Sequence, residues 1–185
     1  MSKAYIFLAD GFEEVEGLTV VDLLRRAGID IRMVSIMDSV KVTGSHDITV
    51  KADALFTETD FSGGDMFILP GGQPGTTNLG KHEALGRLLK EENEKGTALA
   101  AICAAPMVFG GLGILNGRKA ICYPGCEGAL TGAAITRQKV VTDGHITTSM
   151  GPGSAMAFSL ELIRILCGEE KAAEIKKGLC YGHLS

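Results

Sequence analysis

Cys103 ends a short apolar run, Thr97-Ala98-Leu99-Ala100-Ala101-Ile102, and a helix is expected to begin just after it, at Ala104-Ala105-Pro106. A cysteine at a strand-to-helix corner is a candidate nucleophile. The turn exposes the sulfur, and the unpaired N–H groups of the new helix favour its thiolate form. Free cysteine is also among the most buried residue types. The feature therefore gains weight only from partners elsewhere in the chain. Two candidates stand out. Pro70-Gly71-Gly72 follows the apolar run Met66-Phe67-Ile68-Leu69, and Asp10-Gly11-Phe12-Glu13-Glu14-Val15-Glu16 follows Ala4-Tyr5-Ile6-Phe7-Leu8-Ala9. All three features fall at the carboxyl ends of expected strands, where open α/β sheets bind their ligands.

Each feature has a chemical use. Glycine permits close approach to the main chain, so the N–H groups of Gly72 and Ala104 could form an oxyanion hole beside Cys103. Glu13, Glu14 and Glu16 open a helix, where acidic side chains complement the dipole. A protonated carboxyl among them could instead donate a hydrogen bond to the sulfur, as like-charged groups sharing a site require. Spacing alone leaves open which glutamate does so.

Alternating elements must position these groups. A strand at residues 4–9 leads to a helix over Glu13–Ala27, with Gly28 as its cap, and a second strand over Ile29–Ile36. Two short strands flank Gly44-Ser45-His46-Asp47 within Val40–Lys51. Further strands are expected at Met66–Leu69, Ala98–Ile102, Lys119–Cys122, Val140–Thr142 and Ile146–Ser149. Helices are expected at His82–Lys95, Ala105–Leu112, Ser154–Leu166 and Glu169–Lys177. This alternation predicts an α/β fold with an open, mostly parallel sheet covered on both faces.

Composition narrows the function classes. The 185 residues predict one domain, spanning 1–185, with an apolar fraction of 45% that argues against disorder. A net charge of −4, no tryptophan and no basic stripe argue against nucleic-acid binding. No apolar stretch is long enough to span a bilayer, and Met1-Ser2-Lys3-Ala4 is no signal peptide, so the expected location is cytoplasmic. Five cysteines without a C-x-x-C pair, and four scattered histidines, predict reduced thiols and no metal site.

Five blocks in register resemble the DJ-1/ThiJ/PfpI superfamily, in its DJ-1-like branch. They are Ala9-Asp10-Gly11-Phe12-Glu13-Glu14-Val15-Glu16, Arg25-Arg26-Ala27-Gly28, Leu69-Pro70-Gly71-Gly72, Ala101-Ile102-Cys103-Ala104-Ala105-Pro106 and Ser149-Met150-Gly151-Pro152-Gly153. The resemblance implies a flavodoxin-like three-layer sandwich and a homodimer. It implies that Cys103 is the reactive cysteine at a nucleophile elbow and Glu16 the protonated partner of its sulfur, with Gly72 and Ala104 as the oxyanion donors. The chain departs from the family where Tyr123 stands at a common histidine, His46 at an arginine of the anion pocket, Lys51 at a cysteine, and Met150 at the arginine before Gly-Pro-Gly. Protease-like members carry histidine directly after the cysteine, where this chain has Ala104, which argues against peptidase activity.

The expected function is cofactor-free chemistry on a small reactive aldehyde or glycated substrate, of glyoxalase or deglycase type. Cys103 would attack the carbonyl, Glu16 would shuttle the proton, and Tyr123, His46 and Gly71 would orient the substrate. The alternative is a redox sensor that works through reversible oxidation of Cys103. A glutamine amidotransferase would need a late histidine–acid pair, for which only His145 and Asp143 offer themselves. Cys126, four residues after Cys122, is a candidate resolving thiol for an oxidised Cys103.

Overall fold

The computed structural model describes residues 1–182; His183 lies outside the described residues. The elements run β1 (Lys3–Leu8), α1 (Glu14–Arg26), β2 (Asp30–Ser35), β3 (Lys41–Thr43), β4 (Thr49–Lys51), β5 (Ala54–Leu55), β6 (Met66–Leu69), α2 (Gly75–Lys81), α3 (Glu83–Lys95), β7 (Ala98–Ile102), α4 (Pro106–Gly111), β8 (Lys119–Ala120), β9 (Ala134–Ile135), β10 (Val140–Asp143), β11 (Ile146–Ser149), α5 (Ala155–Cys167) and α6 (Glu169–Gly178). Seven strands form one sheet in the order β10-β11-β7-β6-β1-β2-β5. Among the described residues of this sheet only the β10–β11 pair is antiparallel, and β3 and β4 form a separate antiparallel pair. The expected α/β three-layer architecture is therefore present.

Successive residues of the central strands feed opposite faces, as strand geometry demands. Ala4, Ile6 and Leu8 of β1 pack with α1 and α5 through Val20, Leu24, Phe158 and Leu162. Tyr5 and Phe7 of the same strand pack on the other face with Phe67, Leu85, Leu89 and Phe109. Each such fully buried side chain contributes roughly 1.5–3 kcal/mol. In α1 the buried stripe runs through Glu16, Val20, Leu23 and Leu24, and Gly28 ends the helix at φ 79°. Glu16 thus occupies a core position of an amphipathic helix, which is why its carboxyl is taken out of water.

Three local expectations needed correction. The strand expected at Lys119–Cys122 stops at Ala120, because Ile121 N–H turns to the Thr148 hydroxyl (3.0 Å). Its partner β9 and the edge strand β5 each have two residues, too few to show a sequence period. Helix α2 was not anticipated, since Gly75, Thr76, Thr77 and Gly80 are poor helix formers.

Strands β1, β6 and β7 are consecutive neighbours. The chain leaves β1 toward β2 on one side, while β6 and β7 build the other, so the strand order reverses beside β1. The crevice at such a reversal is the expected ligand site of an open α/β sheet.

Candidate active site

Cys103 follows β7 directly and sits at φ 66°, a left-handed conformation that costs a non-glycine residue of order 1–3 kcal/mol. The surroundings hold it there. Its N–H donates to Ser149 O (2.9 Å), and its carbonyl accepts from Tyr123 N–H (2.7 Å). Pro106 then opens α4 with φ already suited to a helix. The thiol is 8% exposed, and the backbone N–H groups of Gly72 and Ala104 both face it as donors.

The loop after β6 leaves no room for side chains. A Cβ on Gly71 would lie 2.5 Å from Cys103 Cβ and 2.6 Å from Glu16 Oε2. Gly72 sits at φ 91°, and a Cβ there would collide with the Glu13 amide nitrogen and lie 2.5 Å from Gly11 O. These two glycines let the backbone of the β6 loop pass between the thiol, the carboxyl and the 11–13 turn.

Glu16 is fully buried. Its Oε2 accepts from Gly71 N–H (2.9 Å), whereas Oε1 is buried with no hydrogen-bond partner among the described residues. Burial, reinforced by the charge of Glu13, pushes the Glu16 carboxyl up to about 7 against the pull of its hydrogen bonds to Cys103 and Gly71. Burial, and then the negative charge of Glu16, push the Cys103 thiol up to about 12. The two groups titrate as a pair: one proton leaves near pH 7 and the second is held to about pH 12. In between, the pair holds one proton, which on Glu16 leaves a thiolate and on Cys103 a carboxylate. Two N–H donors face Sγ, while a proton on the otherwise unpartnered Oε1 turns that atom into a donor to sulfur.

The remaining predicted residues lie at different depths around this pair. Tyr123 is half exposed, joined to Cys103 through its N–H, and its ring flanks Gly151. His46 stands on the exposed β3–β4 turn. Its Nδ1 is 3.0 Å from Glu14 Oε2 and 3.6 Å from Glu13 Oε2, so its ring engages these carboxylates. Cys126 is half-buried against the core face that holds Cys122, whereas Cys103 belongs to the opposite face, and all five cysteines are free. His145 bonds to Asn93 (2.9 Å), away from any triad.

Glu14, which the sequence left as a helix-start acid or a candidate donor to the sulfur, has a different role. Its carboxylate accepts from His46 N–H (2.8 Å) and Ile48 N–H (3.4 Å), clamping the β3–β4 turn onto α1. Burial works against its ionisation, but the bonds from the His46 ring and these amides hold the carboxyl down to about 2. Ligand-type atoms of Glu13, Glu14 and His46 come within 4.8 Å of one another, a set that could hold a cation, although Glu14 already spends its oxygens on this clamp. The wall formed by Met150, Gly151 and Pro152 was also missed. Its Gly-Pro-Gly signal was visible, but nothing in the sequence placed it against Cys103.

Comparison with known proteins places the chain in a family. The DJ-1/PfpI family profile matches residues 2–165. Protein dj-1beta of Drosophila melanogaster is 36% identical over 182 residues, covering 97% of each chain. Protein DJ-1 homolog B of Arabidopsis thaliana is 39% identical over 94% of this chain, which spans 40% of that longer protein. A protein of Pyrococcus abyssi named a deglycase is 30% identical over 89% of this chain and 99% of its own. The oxidized DJ-1 structure from Toxoplasma gondii superposes with a TM-score of 0.95 at 34% identity, covering 98% of this chain and 100% of its own. The chain belongs to the DJ-1/PfpI family.

Proposed function

We propose that this protein is a cofactor-free, cysteine-dependent enzyme that converts small α-oxoaldehydes to hydroxy acids or removes such adducts from glycated substrates. The observation that carries this reading is the buried Glu16 carboxyl beside the Cys103 thiol, next to two backbone N–H donors. The Pyrococcus relative named a deglycase supports the substrate class.

The chemistry balances without an outside oxidant. The Cys103 thiolate attacks the aldehyde carbon, forming a C–S bond. The carbonyl electron pair moves to oxygen, which the Gly72 and Ala104 N–H groups stabilise and which then takes a proton. Glu16, having given up its proton, removes the hydrogen from the aldehyde carbon. The pair left behind forms an enediol with the adjacent ketone. Return of the proton to the former ketone carbon gives a thioester of the 2-hydroxy acid. Water cleaves the thioester, releasing the acid and regenerating the thiol. Tyr123 orients the substrate from the Gly151 side and Gly71 spaces the pair, while His46 acts from the rim through Glu13 and Glu14.

The active unit in this reading is a cytoplasmic homodimer. Val15 (53% exposed) and Ile48 (52% exposed) are large apolar side chains on neighbouring elements, since Ile48 N–H reaches Glu14. Such a patch suits a second copy of the chain. No helix among the described residues is long and apolar enough to cross a membrane.

Lactate formation from methylglyoxal without glutathione tests the reading. Turnover by the wild type that Cys103→Ser and Glu16→Gln abolish is expected; turnover that survives Cys103→Ser would refute it. A second reading, redox sensing, draws on the same Oε1 atom, which would bond an oxidised Cys103 as readily as a thiolate. Selective oxidation of Cys103 over the other four cysteines with no aldehyde turnover would favour it.

A further inference from the structure

A cavity of about 350 Å³ is lined by Tyr123, Pro124, Met150, Gly151 and Pro152. Cavities of roughly 300–1,000 Å³ take organic ligands much larger than a three-carbon aldehyde. Its chemistry is apolar. The Ser154 hydroxyl on its floor is already committed to Ser149 Oγ (2.7 Å), Gly151 O (2.8 Å) and Gly151 N–H (3.1 Å). Lys139, exposed at the rim, is the one formal charge on the lining.

Gly151 belongs to this lining and also lies near the sulfur. The Cβ that it lacks would lie 4.0 Å from Cys103 Sγ and 3.3 Å from the Tyr123 ring. A side chain at 151 would press on the Tyr123 ring and come up against the sulfur. Backbone conformation does not demand glycine here, because φ is 165°, extended geometry open to any residue. The absence of a side chain at this point leaves the space between Tyr123 and the sulfur uncrowded.

We propose that this cavity is the binding site for the substrate's tail, and that the preferred substrates are α-oxoaldehydes with an aromatic or branched aliphatic tail rather than methylglyoxal. Met150, Pro152 and the Tyr123 ring grip the tail, and Gly151 is the threshold it crosses while its aldehyde carbon sits on Cys103. This inference rests on the proposed enzymatic reading for its substrate class, but the tail site itself can be tested without turnover.

Two haloacetamides that differ only in their tails, iodoacetamide and its N-benzyl derivative, report on the cavity. Both alkylate Cys103 by forming a C–S bond as iodide leaves. Each rate, counted at Cys103 by peptide mapping, is divided by the rate with glutathione thiolate. The wild type should favour the benzyl reagent by about tenfold, the gain from burying roughly 55 Å² of apolar surface. Gly151→Ala, which crowds this space, and Met150→Gln, which makes the wall polar, should each reduce that preference at least about threefold. A wild-type preference no larger than that of glutathione, or one that survives both variants, overturns the proposal. The same preference should appear as a higher kcat/KM for phenylglyoxal than for methylglyoxal. Tail selectivity without turnover would keep the site and sink the enzymatic reading. Turnover without tail selectivity would do the reverse.

Discussion

Replacing Glu16 by glutamine should make the protein more stable than the wild type as pH rises, and the structure sets the size of the effect. The Glu16 carboxyl ionises near 4.5 in an unfolded chain and at about 7 in the folded one, where it is fully buried. Below pH 4.5 both states hold the proton and the folded protein has the full benefit. Between 4.5 and about 7 the folded state binds one more proton than the unfolded state, so stability falls with pH by about 3 kcal/mol in all. This holds whichever atom of the pair carries the proton, because linkage counts protons bound. The thiol adds its own loss only above its ordinary value of 9, since it is pushed up to about 12. The amide that replaces the carboxyl in Glu16→Gln cannot ionise. Urea unfolding of wild type and Glu16→Gln at pH 5, 6, 7 and 8 measures the difference. The variant should gain about 3 kcal/mol relative to the wild type across the linkage range, most of it between pH 5 and 7. A difference that stays flat from pH 5 to 8 would falsify the assignment of a raised, buried carboxyl.

Glu14→Ala removes the clamp on the β3–β4 turn and should cost about 2 kcal/mol at pH 7, by urea unfolding. Because the Glu14 carboxyl is held down at about 2, its contribution is present above pH 4.5 and is lost as pH falls toward 2, so the gap from wild type should close in acid. Ile48→Asp places a charge in the exposed apolar patch and should shift sedimentation toward monomer; unchanged sedimentation of a dimeric wild type would move the interface elsewhere. Mild peroxide followed by peptide mapping should give a Cys103–Cys126 disulfide if Cys126 resolves the oxidised thiol. Cys103 going to sulfinic acid alone would remove Cys126 from the mechanism, in keeping with its place on the opposite core face.

Much of the frame was legible because it is written in periodicity. The apolar runs of β1, β6 and β7 each end at a chemical residue, and the helix stripe of α1 runs through Glu16 as well as Val20 and Leu24. Strand order and burial then follow from packing a parallel sheet between two helical layers. What escaped depends on tertiary contacts with no sequence period. Two-residue strands such as β8 and β9 exist only because a partner meets them. Glu14 reads as an ordinary helix-start acid until the β3–β4 turn folds onto it. Gly151 reads as a turn glycine until Cys103 and Tyr123 close around it. His46 was expected to orient substrate directly, and the structure instead gives its ring to two carboxylates, an outcome that only the position of α1 decides.

The proposed mechanism requires the Cys103 thiolate to form near neutral pH while Glu16 keeps the pair's remaining proton. Titration of the Cys103 thiolate, by ultraviolet absorbance and by the pH dependence of its alkylation, tests this in wild type and Glu16→Gln. With the charge on sulfur, the wild-type thiolate signal should appear as the pair loses its first proton and should shift upward in the variant, where a neutral amide replaces the protonated carboxyl as donor. A wild-type thiol that stays protonated toward pH 12 and ionises more easily in Glu16→Gln would place the charge on the carboxyl and contradict it.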